Sequence, residues 1–288
     1  MDMRSKAKIA VFPKGFMDQR IDRSMGLFEW IEQAGTLRAD GLELHPLFLE
    51  RTDKAYLRQV KEAAAKSNLK IPLMRTSPDF ANPDPAHRAG ELQKMKDMID
   101  VMAFLGPSEF RSCRVLFGLH RPDVTREDGI RSTAAAIREL LPYAERNNVC
   151  LVIENHPAVG AGQQPEFELS SDRFLEMIGG VSSPSFGVGF NPSHAIASGE
   201  DPLKLLERVK HRLFTVNASD RYLPEGKGNS SDDLERDRAG RLSEQIFSLL
   251  RQARFRGWIS VGDGANGLEE TASSVRFLRE KIGAYLPQ

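Results

Sequence analysis

Eight times along the chain a short apolar run is followed by a segment with helical spacing, and this alternation constrains the fold more than any other feature. The pairs begin as Ile9–Phe12 with Met25–Leu37, Gly41–Leu44 with Lys54–Ser67, Ile71–Met74 with Pro85–Leu105, and Phe110–Phe117 with Arg126–Arg146. They continue as Val149–Glu154 with Ser171–Ile178, Phe186–Phe190 with Pro202–Val209, Leu213–Ala218 with Leu242–Arg254, and Trp258–Val261 with Glu269–Tyr285. Runs this short and this rich in Val, Ile and Leu read as strands buried on both faces. Asp53, Asp84 and Asp201 stand where helix caps belong, and Pro85 and Pro202 occupy first helical positions. Strands separated by helices run parallel, because a parallel neighbour needs a crossover. Eight such units in 288 residues predict an α/β fold, a (β/α)8 TIM barrel, as one domain over residues 1–288. The alternative is an open doubly wound sheet, which wants a glycine-rich first turn where FPKGFMD has only Gly15. The polar stretch Leu223–Arg241 reads as a long loop, either a mobile cover over strand seven or a solvated excursion.

Lys plus Arg equals Asp plus Glu at 40 each, so the chain has no net charge. That balance argues against non-specific nucleic-acid or membrane binding, which requires a basic field. No apolar run approaches the roughly 18 residues of a membrane helix. The start, MDMRSKAKIAVFPK, passes into a strand pattern rather than a leader peptide. Cys113 and Cys150 lack metal-site spacing and read as buried, reduced thiols. The expectation is a soluble cytoplasmic protein with a small-molecule partner and room for a homo-oligomer.

In barrels of this kind the chemistry gathers at the C-terminal strand ends. Those ends carry Lys14, then Glu43 and His45, then Arg75, Ser77 and Asp79, then His120 and Arg121. Glu154 and His156 follow, then Asn191 and His194, then Asn217, Asp220 and Arg221, and finally Asp263. Four of the six histidines fall on this side, and His87 and His211 read as structural. Each site has a plainer reading as well. Glu43 could be a core carboxylate paired with Arg75, and His45, before Pro46, could cap a strand end. Glu154 is the strongest candidate for lining a pocket, because its neighbours in VCLVIENHP are the most apolar and an unpaired carboxylate there would be costly.

The segments DGLELHP, SPDFANPDP, CRVLFG, LVIENH, FNPSHAIASGEDP, NASDRYLP and GWISVGDGANG resemble the xylose isomerase-like TIM-barrel superfamily, and within it the proteins called sugar phosphate isomerases/epimerases. The resemblance implies a divalent ion at the barrel mouth, held by Glu, Asp, His and Glu at the ends of strands five to eight, with the two glutamates as acid and base. Glu154 matches the first position; Asn191, Asn217 and Gly262 stand at the other three. An amide oxygen is a neutral, weaker ligand for a hard ion, and glycine supplies none. No tightly held cofactor is therefore expected, with room only for weak divalent-metal binding. His194 and Arg221 fall at offsets where related epimerases face the sugar, and Glu43, His156 and Asp220 are also at family-like positions.

The expectation is a sugar isomerase/epimerase-like protein binding a small polyhydroxylated ligand, a sugar or sugar phosphate. Glu154, His156 and His194 are its catalytic candidates. Glu43, His45, Arg75, His120, Asn191, Asn217, Asp220 and Arg221 are its binding candidates. The alternative is a non-catalytic sugar-binding or regulatory barrel. A DNA-repair nuclease would need a basic face and a denser histidine and carboxylate cluster. A dinucleotide oxidoreductase would need GVGFNP or GAGQQ in a strand–turn–helix setting.

Overall fold

The computed structural model describes residues 6–14, 25–156, 170–219, 233–263 and 267–286. Eight parallel strands form the barrel: β1 (Lys8–Val11), β2 (Gly41–Leu42), β3 (Leu73–Met74), β4 (Ser112–Val115), β5 (Cys150–Glu154), β6 (Phe186–Phe190), β7 (Leu213–Ser219) and β8 (Trp258–Asp263). They pair in the order β2-β1-β8-β7-β6-β5-β4-β3. Parallel bridges from Gly41 to Lys70 and from Leu44 to Met74 join the two ends of that order and close the circuit. The expected barrel is what forms.

The helices are α1 (Leu27–Thr36), α2 (Lys54–Lys66), α3 (Pro85–Leu105), α4 (Arg126–Arg146), α5 (Ser171–Gly179), α6 (Pro192–Ala197), α7 (Pro202–Val209), α8 (Asp233–Gln252) and α9 (Leu268–Tyr285). Their starts follow the chemistry of orphan amides. Asp53 caps α2 by accepting from Ala55 and Tyr56 at 3.1 and 3.0 Å. Asp84 and Asp201 do the same for α3 and α7, each ahead of a proline that has no N–H to satisfy.

Two readings need correction. The polar stretch 223–241 is not all loop, because α8 already runs from Asp233, nine residues before the expected start at Leu242. A short helix, α6, directly follows β6, where the sequence reading placed only a connection. Of the two cysteines, Cys113 is buried as expected, whereas Cys150 is only partly covered; both are free thiols.

Alternation along each strand separates two cores. On β8, Ile259 and Val261 join the apolar layer between barrel and helices. Trp258 points inward, where it packs with Ala10, Phe110 and Phe214. This aromatic floor fixes small residues opposite it. A Cβ on Gly187 would lie 2.5 Å from the Phe214 ring, and one on Gly41 would lie 2.9 Å from Trp258. Below the floor, Glu109 accepts from both Lys8 and Lys70. Above it the barrel interior turns polar, and that upper layer is the site.

Candidate functional site at the barrel mouth

Inward positions at the tops of the strands bring together two buried ion pairs. Glu43, just past β2, is fully buried and accepts from Arg75 Nε at 2.5 Å. Arg75, just past β3, also donates through Nη2 to Asn217 Oδ1 at 2.8 Å and to Ser260 Oγ at 2.9 Å. Its guanidinium lies 4.6 Å above the Phe12 ring. The plain reading of Glu43, a core carboxylate paired with Arg75, is therefore correct for one of its oxygens. The other, Oε1, is buried and accepts no hydrogen bond among the described residues.

The second pair joins Glu154 at the end of β5 to Arg114 on β4, with Nη1 to Oε2 at 3.4 Å. Arg114 was absent from the candidates read off the sequence. It continues the inward face of β4 opposite Arg75, one step beyond the register pair Met74–Cys113. Its other donors reach Thr76 O at 3.2 Å and Ser77 Oγ at 3.1 Å. A charged residue at an inward position inside CRVLFG was the available signal.

Glu154 Oε1 faces Asn191 Nδ2 at 3.3 Å and His194 Nδ1 at 3.5 Å. Burial alone would raise the Glu154 pKa, but the fields of Arg114 and Arg75, with His194 and His156, hold it down at about 2. Asn191 caps α6, its Oδ1 accepting from Ser193 N at 3.1 Å and His194 N at 3.4 Å. That orientation turns its Nδ2 toward His194 Nε2, 3.1 Å away. His194 Nδ1 meets Asn155 O at 2.9 Å, and a carbonyl oxygen can only accept, so Nδ1 carries a proton. Asn155 and Asn191 brace the two strand ends by exchanging hydrogen bonds of 2.8 Å, from Asn155 Nδ2 to Asn191 O and from Asn191 N to Asn155 Oδ1. The His156 ring lies edge-on to His194, with centroids 4.5 Å apart.

The remaining candidates separate. His45 caps a single 3-10 turn, Pro46–Phe48, its Nδ1 accepting from Leu47 N at 3.2 Å. Burial, with Arg114 and Arg75 nearby, lowers its pKa to about 4, so it stands neutral beside the cluster. His120 lies exposed on the stretch after β4, where its neighbour Arg121 turns to Asp79 at 2.5 Å. Asp79 also accepts from Leu119 N at 2.9 Å, so it serves as a latch between loops. Asp220 and Arg221 lie outside the described residues.

The four strand-end positions singled out in the sequence share this mouth. Glu154 pairs with Arg114; Asn191 Oδ1 is spent on a helix cap; Asn217 Oδ1 accepts a hydrogen bond from Arg75. A Cβ on Gly262 would meet Phe12 Cβ at 3.1 Å. Among the described residues, no group of three or more His, Cys, Asp or Glu is arranged to hold a metal ion. Among them, too, no helix is long and apolar enough to cross a membrane.

A model of the family described as xylose isomerase-like TIM barrel matches residues 28–281. The chain belongs to that family. Solved xylose isomerase-like structures carry the same fold at low identity. A D-tagatose 3-epimerase-like protein has a TM-score of 0.74 at 15% identity, covering 96% of this chain and 98% of its own. A D-allulose 3-epimerase from Methylomonas sp. has 0.72 at 14%, covering 98% and 100%. A 3-keto-D-glucoside 4-epimerase from E. coli has 0.71 at 15%, covering 96% and 100%. Among curated protein sequences, none matches the chain.

Proposed function

We propose that the chain is an isomerase/epimerase-like sugar-binding barrel that takes a small polyhydroxylated ligand, a sugar or sugar phosphate, at its C-terminal mouth without a tightly held divalent ion. The observation that carries this reading is the interlocked set of Glu43, Arg75, Asn217, Glu154, Asn191 and His194 in one buried polar layer. Such a layer offers fixed donors and acceptors to hydroxyl groups, and the neighbouring epimerase folds are consistent with a sugar as the ligand. The donor chemistry does not fit a hard divalent ion. One carboxylate is paired with a guanidinium, two positions offer amides already engaged, and glycine offers nothing.

In this reading the chain's own residues bind and orient. Arg75 and Arg114 donate N–H groups, Glu43 Oε1 accepts from a ligand hydroxyl, and His156 and His194 with Glu154 line the side where a proton would be moved. A second reading, binding without turnover, is favoured by Glu154 itself. A carboxylate held at about pKa 2 is a poor proton acceptor near neutral pH.

The test is calorimetric titration with free and phosphorylated ketoses, D-tagatose and D-allulose among them, followed by NMR of the incubated sugar for epimerised product. Binding of one sugar class, weakened roughly 10- to 100-fold by His194→Ala, is the expected result, in line with loss of one polar contact. Product formation selects the enzyme; binding alone selects the second reading. No binding across the panel would sink both.

A further inference from the structure

Two guanidinium groups are bonded to strand-end positions at which the family resemblance implies an ion, Arg75 to Asn217 and Arg114 to Glu154. Arg75 and Arg114 rise side by side from adjacent strands, each against a buried carboxylate, Glu43 and Glu154. Their side chains are only 6% and 11% exposed. Both also press on the same bystander, His45, which stays neutral between them. The two ion pairs of the described layer, Glu43 with Arg75 and Glu154 with Arg114, carry two negative and two positive charges. A divalent ion added here would face two fixed cations at short range in a medium that screens poorly. Glu43 Oε1 supplies an independent sign of a missing partner. It is buried and unbonded among the described residues, so what it lacks is a hydrogen-bond donor such as a hydroxyl.

We infer that Arg75 and Arg114 are the cation of this site: fixed guanidinium groups neutralise its carboxylates and hold the ligand's oxygens by N–H donation, as a chelated ion would otherwise do. The ligand's identity rests on the function proposed above; the electrostatic role does not. Arg114 is the residue on which the test turns, since it is the guanidinium paired with Glu154. A guanidinium offers directional donors and no open coordination position, so it suits an oxygen pair that accepts hydrogen bonds.

The experiment is thermal melting of the full chain with Mn2+ at millimolar concentration or with chelator, using wild type, Arg114→Met, Arg114→Lys and Arg114→Met/Glu154→Gln. Wild type and Arg114→Lys are expected to melt alike with either additive. Arg114→Met leaves buried Glu154 without its guanidinium partner, so its Tm should fall by about 5–10 °C. Mn2+ should restore part of that loss by binding the native state. The double variant should show no Mn2+ dependence. If Arg114→Met does not fold, Arg114→Gln, which keeps donors toward Thr76 and Ser77, takes its place. The inference is overturned if wild type gains Tm with Mn2+ and Glu154→Gln abolishes the gain. A folded Arg114→Met or Arg114→Gln single variant that acquires no Mn2+ dependence overturns it too. Neither outcome depends on which sugar binds, so failure here and failure of the sugar reading are separable.

Discussion

At neutral pH Glu154 carries its charge with almost no access to water, and the protonation of this residue and of His45 should mark the acid side of the stability curve. The Glu154 pKa falls from 4.5 to about 2 on folding, so the unfolded chain takes up that proton first. Its stabilising effect is complete above pH 4.5 and is lost as pH falls toward 2. The His45 pKa falls from 6.5 to about 4, so here too the unfolded chain binds the proton first. That contribution is complete above pH 6.5 and lost as pH falls toward 4. His45→Gln should therefore flatten the fall of Tm between pH 6.5 and 4, and Glu154→Gln should flatten it between 4.5 and 2, both read by calorimetry. A His45→Gln profile that keeps the wild-type slope would mean the imidazole titrates normally in the folded protein.

Among the elements, α6 shows how one residue can serve local structure and site at once. Asn191 stops β6, caps the helix through Oδ1, and donates to Glu154 and His194 through Nδ2. Its replacements separate these roles. Asn191→Ala should cost about 1–2 kcal/mol from loss of the cap. Asn191→Ser keeps a capping oxygen and should recover part of that. Asn191→Asp caps equally well but sets a second carboxylate against Glu154, so at pH 7 it should melt below Asn191→Ser. Chemical denaturation of the three variants checks the order. The signal for α6 was present in FNPSHAIA, where an asparagine before a proline is a helix start. A helix of six residues gives too little periodicity to be read by spacing alone.

Over the whole molecule, the alternation of strands and helices was legible because parallel strands leave no other economical connection. The strand-end rule then located Glu43, Arg75, Glu154, Asn191, His194 and Asn217 in one layer. Arg114 was missed because the apolar run Phe110–Phe117 hides the strand's true end. β4 stops at Val115, and the arginine inside the run joins the buried layer, while His120 lies exposed beyond it. His45 was legible as a cap because Pro46 follows it. The partnership of Asn217 with Arg75 spans 142 positions and has no local trace in the sequence.

The floor of Trp258, Phe110, Ala10 and Phe214 shares this long-range origin, and it is tightly set. Gly187→Ala should cost about 1–3 kcal/mol by overpacking against Phe214, with Phe214→Leu restoring part of the loss in urea melts. The same closure dictates traffic. With the lower end of the barrel stopped by aromatic rings, the described residues leave the upper end as the approach to Arg75 and Glu154. A ligand seated on those two side chains should therefore be displaced by any other molecule that binds at the same end.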